Sequence, residues 1–194
     1  MITVHFATGN GGKLASAQAA LAPMGIEVIS VNLDLPEPQS DDLRAIALAK
    51  SQFAFEKIRR PVIAQDAGFY VDALNGFPGA FTKFVLNTIG IGGILKLAKG
   101  ETRSCAFRNC LAYCDGDTRL FEDEIRGTLS EKPLGTVSAH AWSPLWQVFI
   151  PAGSGGKTLA QMTESEFERW RRINRANSAF AQFGRWLVAN RGQP

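Results

Sequence analysis

The N-terminal segment constrains the fold of this chain most strongly. An apolar run, Ile2–Ala7, leads into the turn Thr8-Gly9-Asn10-Gly11-Gly12-Lys13, and a helix-like stretch, Leu14–Leu21, follows. Where a strand enters a helix through a glycine turn, the unpaired N–H groups and the helix dipole together favour an anion. Lys13 is a cation in the first helical turn, where the dipole disfavours it, so we expect it to bind an anion. The alternative is a tight connection with a solvated lysine.

The composition is that of one ordinary globular domain spanning 1–194. The chain has 194 residues, of which 45% are hydrophobic and 20% are charged, which provides ample core. No stretch could cross a bilayer and no signal-peptide pattern begins the chain, so we expect a cytoplasmic protein with no membrane partner. The net charge is +3, and the arginine-rich segment 169–194 is offset by an acidic remainder. We therefore expect no nucleic-acid partner.

Apolar runs alternate with helix-like stretches, which predicts an α/β fold with a mixed central sheet flanked by helices. The predicted strands are 2–7, 26–31, 61–65, 103–114, 118–129 and 146–150, and the predicted helices are 12–23, 41–58, 80–98 and 163–190. The turn Asp115-Gly116-Asp117 predicts a hairpin between the two long strands. The cysteines lack a metal-ligand spacing, so we expect reduced, partly buried thiols.

Several charged residues occupy positions that favour chemistry. Asp66 follows the apolar run Pro61–Ala64, which predicts a carboxylate at the end of a parallel strand, where α/β sheets bind ligands. It could hold a metal or act as a general base, or it could be a turn or cap aspartate. Lys50 falls on the apolar stripe of helix 41–58, so it must either extend to solvent or bind an anion.

Two further observations favour a polyphosphate ligand with Mg²⁺. Lys83, like Lys13, is a cation in the first turn of a predicted helix. Ser40, Asp41 and Asp42 precede helix 41–58 or begin it, and they resemble an N-cap and first-turn acids that could also hold a divalent ion. Three lysines in such positions, together with one strand-end aspartate, suggest a polyphosphate bound with Mg²⁺.

The chain resembles the Ham1/inosine triphosphate pyrophosphatase family, whose members hydrolyse non-canonical purine nucleoside triphosphates to the monophosphate and pyrophosphate. The resemblance covers residues 1–100 in order and thins beyond them. The matching segments are Ala7–Lys13, Asp34-Leu35-Pro36-Glu37, Pro61–Phe69, Val71–Gly79, Lys83-Phe84-Val85 and Gly93–Leu97, followed by Leu120-Phe121, Phe149-Ile150-Pro151 and Thr158–Met162.

The resemblance implies a single nucleotide pyrophosphatase-like domain with two lobes around a nucleotide cleft, and a homodimer. It implies that Asp66 acts as a general base or a metal ligand. It also implies that the triphosphate is bound by the turn Thr8–Lys13 and by further basic residues. The implied substrate-binding residues are Thr8, Gly9, Asn10, Gly11, Gly12, Lys13, Lys50, Ala67 and Lys83, and the implied metal ligands are Asp66 and Asp42. Asp42 is included because Ala45 stands where the family has a metal-binding glutamate, so that Asp42 or Asp41, a turn earlier, would have to substitute.

The departures from the family pattern concentrate in the half that reads the base. Gln65 and Ala67 replace an acid and a serine beside Asp66. The purine-recognition segment is rewritten as 141–149, in which Trp142 or Trp146 could stack on a base or be core aromatics. Asn174-Arg175-Ala176 replaces Ser-His-Arg, which makes Arg175 a candidate substrate-binding residue.

These observations predict a Mg²⁺-dependent nucleoside triphosphate pyrophosphatase with an altered base preference. The alternative is a nucleotide-binding homologue whose catalysis is weakened or lost. The substitutions at Gln65, Ala67 and Ala45 favour this alternative, whereas the retention of Lys13 and Asp66 opposes it.

Overall fold

The structure is a computed structural model that describes residues 2–136, 141 and 143–190. Its strands are β1 (Ile2–Ala7), β2 (Ile26–Val31), β3 (Val62–Val71), β4 (Pro78–Gly79), β5 (Ser104–Cys114), β6 (Thr118–Leu129) and β7 (Phe149–Pro151). Its α-helices are α1 (Gly11–Leu21), α2 (Leu43–Ile58), α3 (Thr82–Thr88), α4 (Gly90–Leu97), α5 (Glu164–Arg175) and α6 (Ala179–Asn190).

The described strands form one mixed sheet in the order β2-β1-β3-β5-β6-β7, with the short β4 paired to β3. β1 is parallel to both β2 and β3, whereas the β3–β4 and β6–β7 pairs are antiparallel. The parallel register places His5 opposite Val62 and Phe6 opposite Ile63. The predicted mixed sheet flanked by helices is therefore confirmed.

The contacts divide the described chain into two compact units. The first unit comprises residues 2–66, 109–123 and 175–190, and the second comprises 67–108, 124–136, 141 and 143–174. The predicted single domain and its nucleotide cleft stay predictions.

The first unit has a core on each side of its strands. On one side, α1 and α6 pack against β1 and the end of β5, and the rings of Phe6 and Phe180 meet edge to face with centroids 5.7 Å apart. On the other side, α2 contributes Ala54 to a smaller cluster that contains Ala7 and Val62. Burial of these apolar side chains fixes the end of β1 and the start of β3 next to α2, close to the candidate site.

The second unit has its own core, built around aromatic rings. Phe69, Phe107 and Phe149 are all buried, and the Phe107 ring lies 4.8 Å from each of the other two, centroid to centroid.

Within the described part of the chain, no helix is both long and apolar enough to span a bilayer, and the cytoplasmic location stays a prediction.

The predicted cysteine chemistry is confirmed. Cys105, Cys110 and Cys114 are buried free thiols. Burial raises the pKa of Cys105 and of Cys110 to about 12, so these two are protonated and unreactive at neutral pH.

The prediction that strand 61–65 ends at Asp66 is wrong. β3 continues to Val71, so Asp66 lies within the strand. An aspartate followed by Ala67-Gly68 resembles a strand end, but Phe69 and Val71 continue the alternation of buried side chains. The observed pairs with β1 nevertheless end at Ile63, so Asp66 lies beyond the last of them.

Two predicted helices are each divided in the structure. Helix 80–98 is interrupted at Ile89, and α4 begins at Gly90, whose φ of +62° is in the left-handed region and breaks the helical path from α3. Helix 163–190 is interrupted after Arg175, and α6 then begins with its own cap, because a carboxylate oxygen of Asp123 accepts the Ala179 N–H at 2.6 Å.

The predicted strand 146–150 is shorter and begins later than expected, as β7 at Phe149–Pro151. The preceding segment, Pro144–Gln147, forms a 3₁₀ turn in which the Ser143 hydroxyl accepts the Leu145 N–H at 3.2 Å. The predicted hairpin of β5 and β6 is confirmed, with residues 115–117 as its turn.

Candidate active site

The glycine turn is held at both of its ends. The Thr8 N–H donates to the Val31 carbonyl at 3.2 Å, and the Ser30 hydroxyl donates to the Thr8 carbonyl at 3.1 Å. The side chain of Asn10 then caps α1, because its Oδ1 accepts the Lys13 N–H at 3.0 Å. The turn therefore leaves β1 and enters α1 with a fixed backbone, as the sequence predicted.

The space above the turn is open. A Cβ atom added to Gly11 would meet nothing within 4 Å, so packing within the protein does not require glycine there. Without a side chain at Gly11, a ligand can approach the first N–H groups of α1, which have no partner within the helix. This geometry favours an anion at the start of α1 over a purely structural connection.

Lys13 turns its side chain from α1 towards β3. Its Nζ donates to the main-chain carbonyl of Gln65 at 3.0 Å, directly before Asp66. Burial lowers the pKa of Lys13 below its ordinary value, and the nearby Lys50 lowers it further, while Asp66 and Glu37 act in the opposite direction. A half-buried ammonium with a single recorded hydrogen bond retains donor capacity for an anion.

Lys50 lies on the apolar stripe of α2, where it could either extend to solvent or bind an anion. Its side chain is only 9% exposed, and its Nζ lies 2.8 Å from Asp66 Oδ1 and 3.5 Å from Glu37 Oε1. The lysine therefore binds anions within the first unit instead of extending to solvent. Its direct partner Asp66 is nearly buried as well, with 14% of the side chain exposed.

Lys13, Lys50, Glu37 and Asp66 together form what we call the lysine–carboxylate cluster. All four belong to the first unit, and their charges interact at the side chain of Lys13. Two ammonium groups and two carboxylates give a formal charge of zero. The sequence predicted three members of this cluster, and the structure brings these three together.

Glu37 is the member that the sequence reasoning missed as a site residue, although it was quoted in a matching segment. It lies between Pro36 and Pro38 in the connection from β2 to α2. The available signal was an acid between two prolines, directly after the apolar residues Leu33 and Leu35. The two prolines restrict the backbone of this segment, and burial of the leucines keeps it near the core.

Asp42 has a structural role in addition to its predicted metal role. It caps α2, because its Oδ1 accepts the Arg44 N–H at 2.9 Å. The capping that the sequence predicted is therefore confirmed, while metal binding by Asp42 stays a prediction. Within residues 2–136, 141 and 143–190, no three histidine, cysteine or acidic side chains converge as a metal site would require.

The donor set of the cluster nevertheless fits Mg²⁺. This ion is usually held by one or two carboxylates together with substrate phosphates, and it keeps several water ligands. Asp66 and Glu37 supply two carboxylates around one ammonium group, next to the turn that favours an anion. A site of this kind needs no third acid from the protein.

The remaining predicted residues are distributed over both units. Ala67 follows Asp66 in β3, and Lys83 is an exposed residue in the first turn of α3, both in the second unit. Trp142 lies outside the described residues. In the first unit, Arg175 Nη1 donates to the Ala19 carbonyl at 3.4 Å, so its guanidinium contacts α1.

Trp146 is a core aromatic residue, which was the predicted alternative to stacking on a base. It is 4% exposed, and its ring lies 4.8 Å from that of Phe167, centroid to centroid. Both rings belong to the core of the second unit.

Comparison with known proteins places this chain in a family. The Ham1 family model matches residues 4–184. A dITP/XTP pyrophosphatase of Methanopyrus kandleri is 40% identical over 190 residues, which cover 96% of this chain and 97% of the relative. Another, from Thermococcus kodakarensis, is 34% identical over 186 residues, covering 95% and 97% of the two chains. The protein belongs to the Ham1 family, as the resemblance predicted.

Solved structures give the same result for the fold. A HAM1 protein from Coxiella burnetii matches with a TM-score of 0.80 at 21% identity, covering 97% of this chain and 100% of the other. The Ham1 protein of Staphylococcus aureus matches with a TM-score of 0.77 at 22% identity, again covering 97% and 100%.

Burial of Lys13 predicts that this residue lowers stability at neutral pH. Because the folded-state pKa lies below the unfolded value, the unfolded chain binds more protons between the two values, and the free energy of unfolding rises with pH in that window. We expect Lys13→Met to raise the Tm at neutral pH, and the gain to shrink towards about pH 10, where lysine deprotonates in the unfolded chain. Thermal denaturation followed by circular dichroism at both pH values measures this.

The matched control is Lys99→Met, which removes an exposed lysine and should leave the Tm nearly unchanged. A lower Tm for Lys13→Met than for wild type at neutral pH would contradict the prediction, because the hydrogen bond of Lys13 to Gln65 and its attraction to Asp66 would then outweigh its burial.

Proposed function

We propose that this protein hydrolyses non-canonical purine nucleoside triphosphates to the nucleoside monophosphate and pyrophosphate. The observation that carries the proposal is the convergence of Lys13, Lys50 and Asp66 beside an open helix N-terminus. The relatives in Methanopyrus kandleri and Thermococcus kodakarensis, which are dITP/XTP pyrophosphatases, support the same substrate class.

The turn and the two lysines would bind the triphosphate. The N–H groups at the start of α1 favour phosphate oxygens, and the dipole of α1 adds to the attraction. Lys13 and Lys50 would neutralise the charge that develops on the phosphate oxygens and on the leaving pyrophosphate. Both ammonium groups already contact oxygen atoms of the protein, so exchange of these contacts for phosphate oxygens keeps them paired.

Asp66 would orient the attacking water and accept its proton. The water oxygen forms a bond to the α-phosphorus, while the bond from that phosphorus to the bridging oxygen breaks. The bridging oxygen leaves with the bonding electron pair as part of pyrophosphate. Lys50 holds Asp66 Oδ1 at 2.8 Å, which restricts the orientation of the carboxylate.

We also propose that the protein uses Mg²⁺, held by Asp66 together with substrate phosphates, with Asp42 as the predicted second acid. When bound, the ion supplies a positive charge that polarises the phosphate oxygens and stabilises the leaving group.

The proposed reaction is tested by identifying its products and by substituting Asp66. Incubation of wild type with inosine triphosphate and Mg²⁺ should release pyrophosphate and monophosphate, as measured by ion chromatography. Asp66→Asn is nearly isosteric and keeps a side-chain oxygen that can accept from Lys50, so we expect a folded but less stable variant, verified by circular dichroism, whose kcat falls by about two orders of magnitude or more. The control Asp117→Asn, in the exposed hairpin turn, should retain activity.

Orthophosphate and diphosphate as the primary products would refute cleavage of the α–β bond. Nucleotide binding without turnover would instead support the catalytically inactive homologue, for which Gln65, Ala67 and Ala45 are the observations in favour. Full activity of Asp66→Asn would refute the role of that carboxylate.

An altered base preference is the finer part of the proposal. The resemblance implies a purine-reading segment and a Ser-His-Arg that this chain replaces. Of the replacements that the structure describes, the Asn174 amide donates to the Trp170 carbonyl at 2.9 Å and Arg175 contacts the Ala19 carbonyl. A site without hydrogen bonds dedicated to the base discriminates weakly, because stacking accepts every base.

We therefore expect the preference for inosine and xanthosine triphosphates over ATP and GTP to be weak, or replaced by another nucleotide. The measurement is kcat/KM for each nucleotide with Mg²⁺. Arg175→Ala should change the selectivity if this guanidinium contacts the nucleotide, whereas Arg185→Ala serves as a control for loss of one arginine in the same basic segment. A kcat/KM for inosine triphosphate several hundredfold above that for ATP and GTP, or roughly 3.5 kcal/mol, would contradict the expectation.

We also propose that the protein is a homodimer in a cytoplasmic location. The observation in favour of self-association is a set of exposed apolar side chains in the stretch 77–89, namely Phe77, Phe81, Phe84 and Ile89, which are 40%, 45%, 68% and 47% exposed. Exposed apolar groups close together in sequence are typical of protein contact surfaces.

Light scattering coupled to size exclusion tests the dimer. Wild type should have the mass of two chains, and Phe84→Glu should shift the equilibrium towards the monomer, because a carboxylate is costly to bury. Ile173→Glu is the matched control, since Ile173 is 67% exposed but lies on α5. A monomeric wild type would refute the homodimer, and dissociation by both variants would refute the assignment to 77–89.

A further inference from the structure

The side chain of Asp123 connects two strands to the start of α6. Asp123 lies on β6, and its Oδ2 accepts the Ala179 N–H at 2.6 Å. Its Oδ1 accepts an N–H of the Asn109 amide at 2.7 Å, and Asn109 lies on β5. Both oxygens are therefore paired, and the carboxylate cannot rotate without losing a hydrogen bond. All three residues belong to the first unit.

Stability does not account for a charged residue at this position. The Ser178 hydroxyl already offers a local cap for α6, because it accepts the Ala181 N–H at 3.3 Å. Burial raises the pKa of Asp123, and the bonds from Ala179 and Asn109 offset this effect only in part. Because the folded-state pKa lies above the unfolded value, the free energy of unfolding falls as the pH rises through the window between them. At neutral pH the ionised carboxylate therefore costs stability.

The turn 175–178, which joins α5 to α6, is held from one side by α6 and its cap. The Ser178 hydroxyl donates to the Arg175 carbonyl at 2.9 Å, and Arg185 Nη1 donates to the Ala176 carbonyl at 2.8 Å. These donors belong to α6 or directly precede it, so their bonds fix the turn relative to the helix but not relative to the sheet.

The sheet holds the same region through β6. The Gln182 amide donates to the Glu122 carbonyl at 2.7 Å, about one turn into α6. Asp123 binds Ala179, the first residue of α6 and the one that directly follows the turn. Of these two contacts, the one from Asp123 is the nearer to the turn, and it is itself supported from β5. Asp123 is thus placed to fix the turn relative to the sheet.

Arg175, at the start of the turn, has hydrogen-bond capacity for a ligand. Its side chain is half-buried, and its Nη1 makes a long hydrogen bond to the Ala19 carbonyl, at 3.4 Å. A guanidinium has five N–H donors, so others remain available. Ala19 lies on α1, about two helical turns or roughly 12 Å beyond Gly11. Phosphates bound at the start of α1 are therefore separated from Arg175, which suits the nucleoside end of a ligand better.

We propose that Asp123 is a positioning residue that fixes the turn carrying Arg175 to the sheet and thereby sets the affinity for the nucleoside part of the substrate. The inference deepens the proposed function and rests on it for the identity of the ligand. Because Asp123 acts through Arg175, its removal should matter only while Arg175 is present.

Calorimetry with two kinds of ligand tests this role without turnover. The α,β-methylene analogues of inosine and adenosine triphosphate cannot be cleaved at the α–β bond, and inorganic tripolyphosphate has no nucleoside. The ratio of the two affinities, each measured with Mg²⁺, reports the contribution of the nucleoside. In Asp123→Ala the ratio should fall by about tenfold or more, the scale on which loss of a hydrogen bond to a charged group lowers affinity. Affinity for tripolyphosphate should be unchanged.

Two further variants separate positioning from a merely structural role. Asp123→Asn keeps a carbonyl oxygen that can accept the Ala179 N–H, so it should retain most of the wild-type ratio. In an Arg175→Ala background, addition of Asp123→Ala should cause no further fall, because residues that act together are not additive. The matched control is Thr158→Ala, which removes a buried hydroxyl of the second unit. It should lower the Tm and leave the ratio unaltered.

An unchanged ratio in Asp123→Ala would overturn the proposal. So would an equal loss of affinity for both kinds of ligand, a loss that persists in full without Arg175, or a wild type that binds the analogues no more tightly than tripolyphosphate. If circular dichroism shows that Asp123→Ala is unfolded, Asn109→Ala takes its place, because it removes the support of the carboxylate and keeps the charge. The ratio should then fall in the same direction, and an unchanged ratio would overturn the proposal.

These outcomes are distinct from failure of the proposed function, which is measured as pyrophosphate release from nucleotides. An enzyme that releases pyrophosphate while Asp123→Ala keeps the wild-type ratio would retain its function and lose only this role of Asp123.

Discussion

The ion pair of Lys50 and Asp66 is the interaction on which the candidate site depends. It joins α2 to β3 with two side chains that are 9% and 14% exposed, at a distance of 2.8 Å. Transfer of two such charges out of water is costly, and mutual attraction offsets the cost only when the geometry is good. Loss of one partner from a buried pair destabilises by about 3–5 kcal/mol, so each residue constrains the other. A pair of this kind is weak evidence for added stability and better evidence for a required local charge arrangement.

Packing on both sides of the pair maintains that arrangement. Ala54 on α2 is buried in the same cluster as Ala7 and Val62, which fixes the helix against the end of β1 and the start of β3. The turn that follows β1 is held by the Asn10 cap and by its contacts with β2. Lys13 therefore reaches the Gln65 carbonyl from one direction, and Lys50 reaches Asp66 from another. The apolar packing is thus what brings two like charges together.

The sequence predicted those parts of the fold that local patterns determine. β1, β2, the β5–β6 hairpin and the site residues Lys13, Lys50 and Asp66 all follow from periodicity, turn residues and charges in unusual places. The continuation of β3 beyond Asp66 was missed, because the strand is held there by long-range packing of Phe69 and Val71. The start of α6 was missed although Ser178 offers a local cap by accepting the Ala181 N–H at 3.3 Å. The second contact there comes from Asp123, which is distant in sequence. Glu37 was missed because the sequence does not show that this exposed acid lies 3.5 Å from Lys50.

The charge balance of the lysine–carboxylate cluster bears on what it can bind. A bare polyphosphate would be attracted by Lys13, Lys50 and the α1 N-terminus, but it would also approach two carboxylates, Glu37 and Asp66. A polyphosphate that brings a divalent cation presents opposite charges to both kinds of group at once. Such a ligand can pair with the lysines through its oxygens and with the acids through its metal, and no member of the cluster is left as an unpaired charge. A formally neutral cluster beside a helix N-terminus thus favours the metal-bound form of an anion over the anion alone.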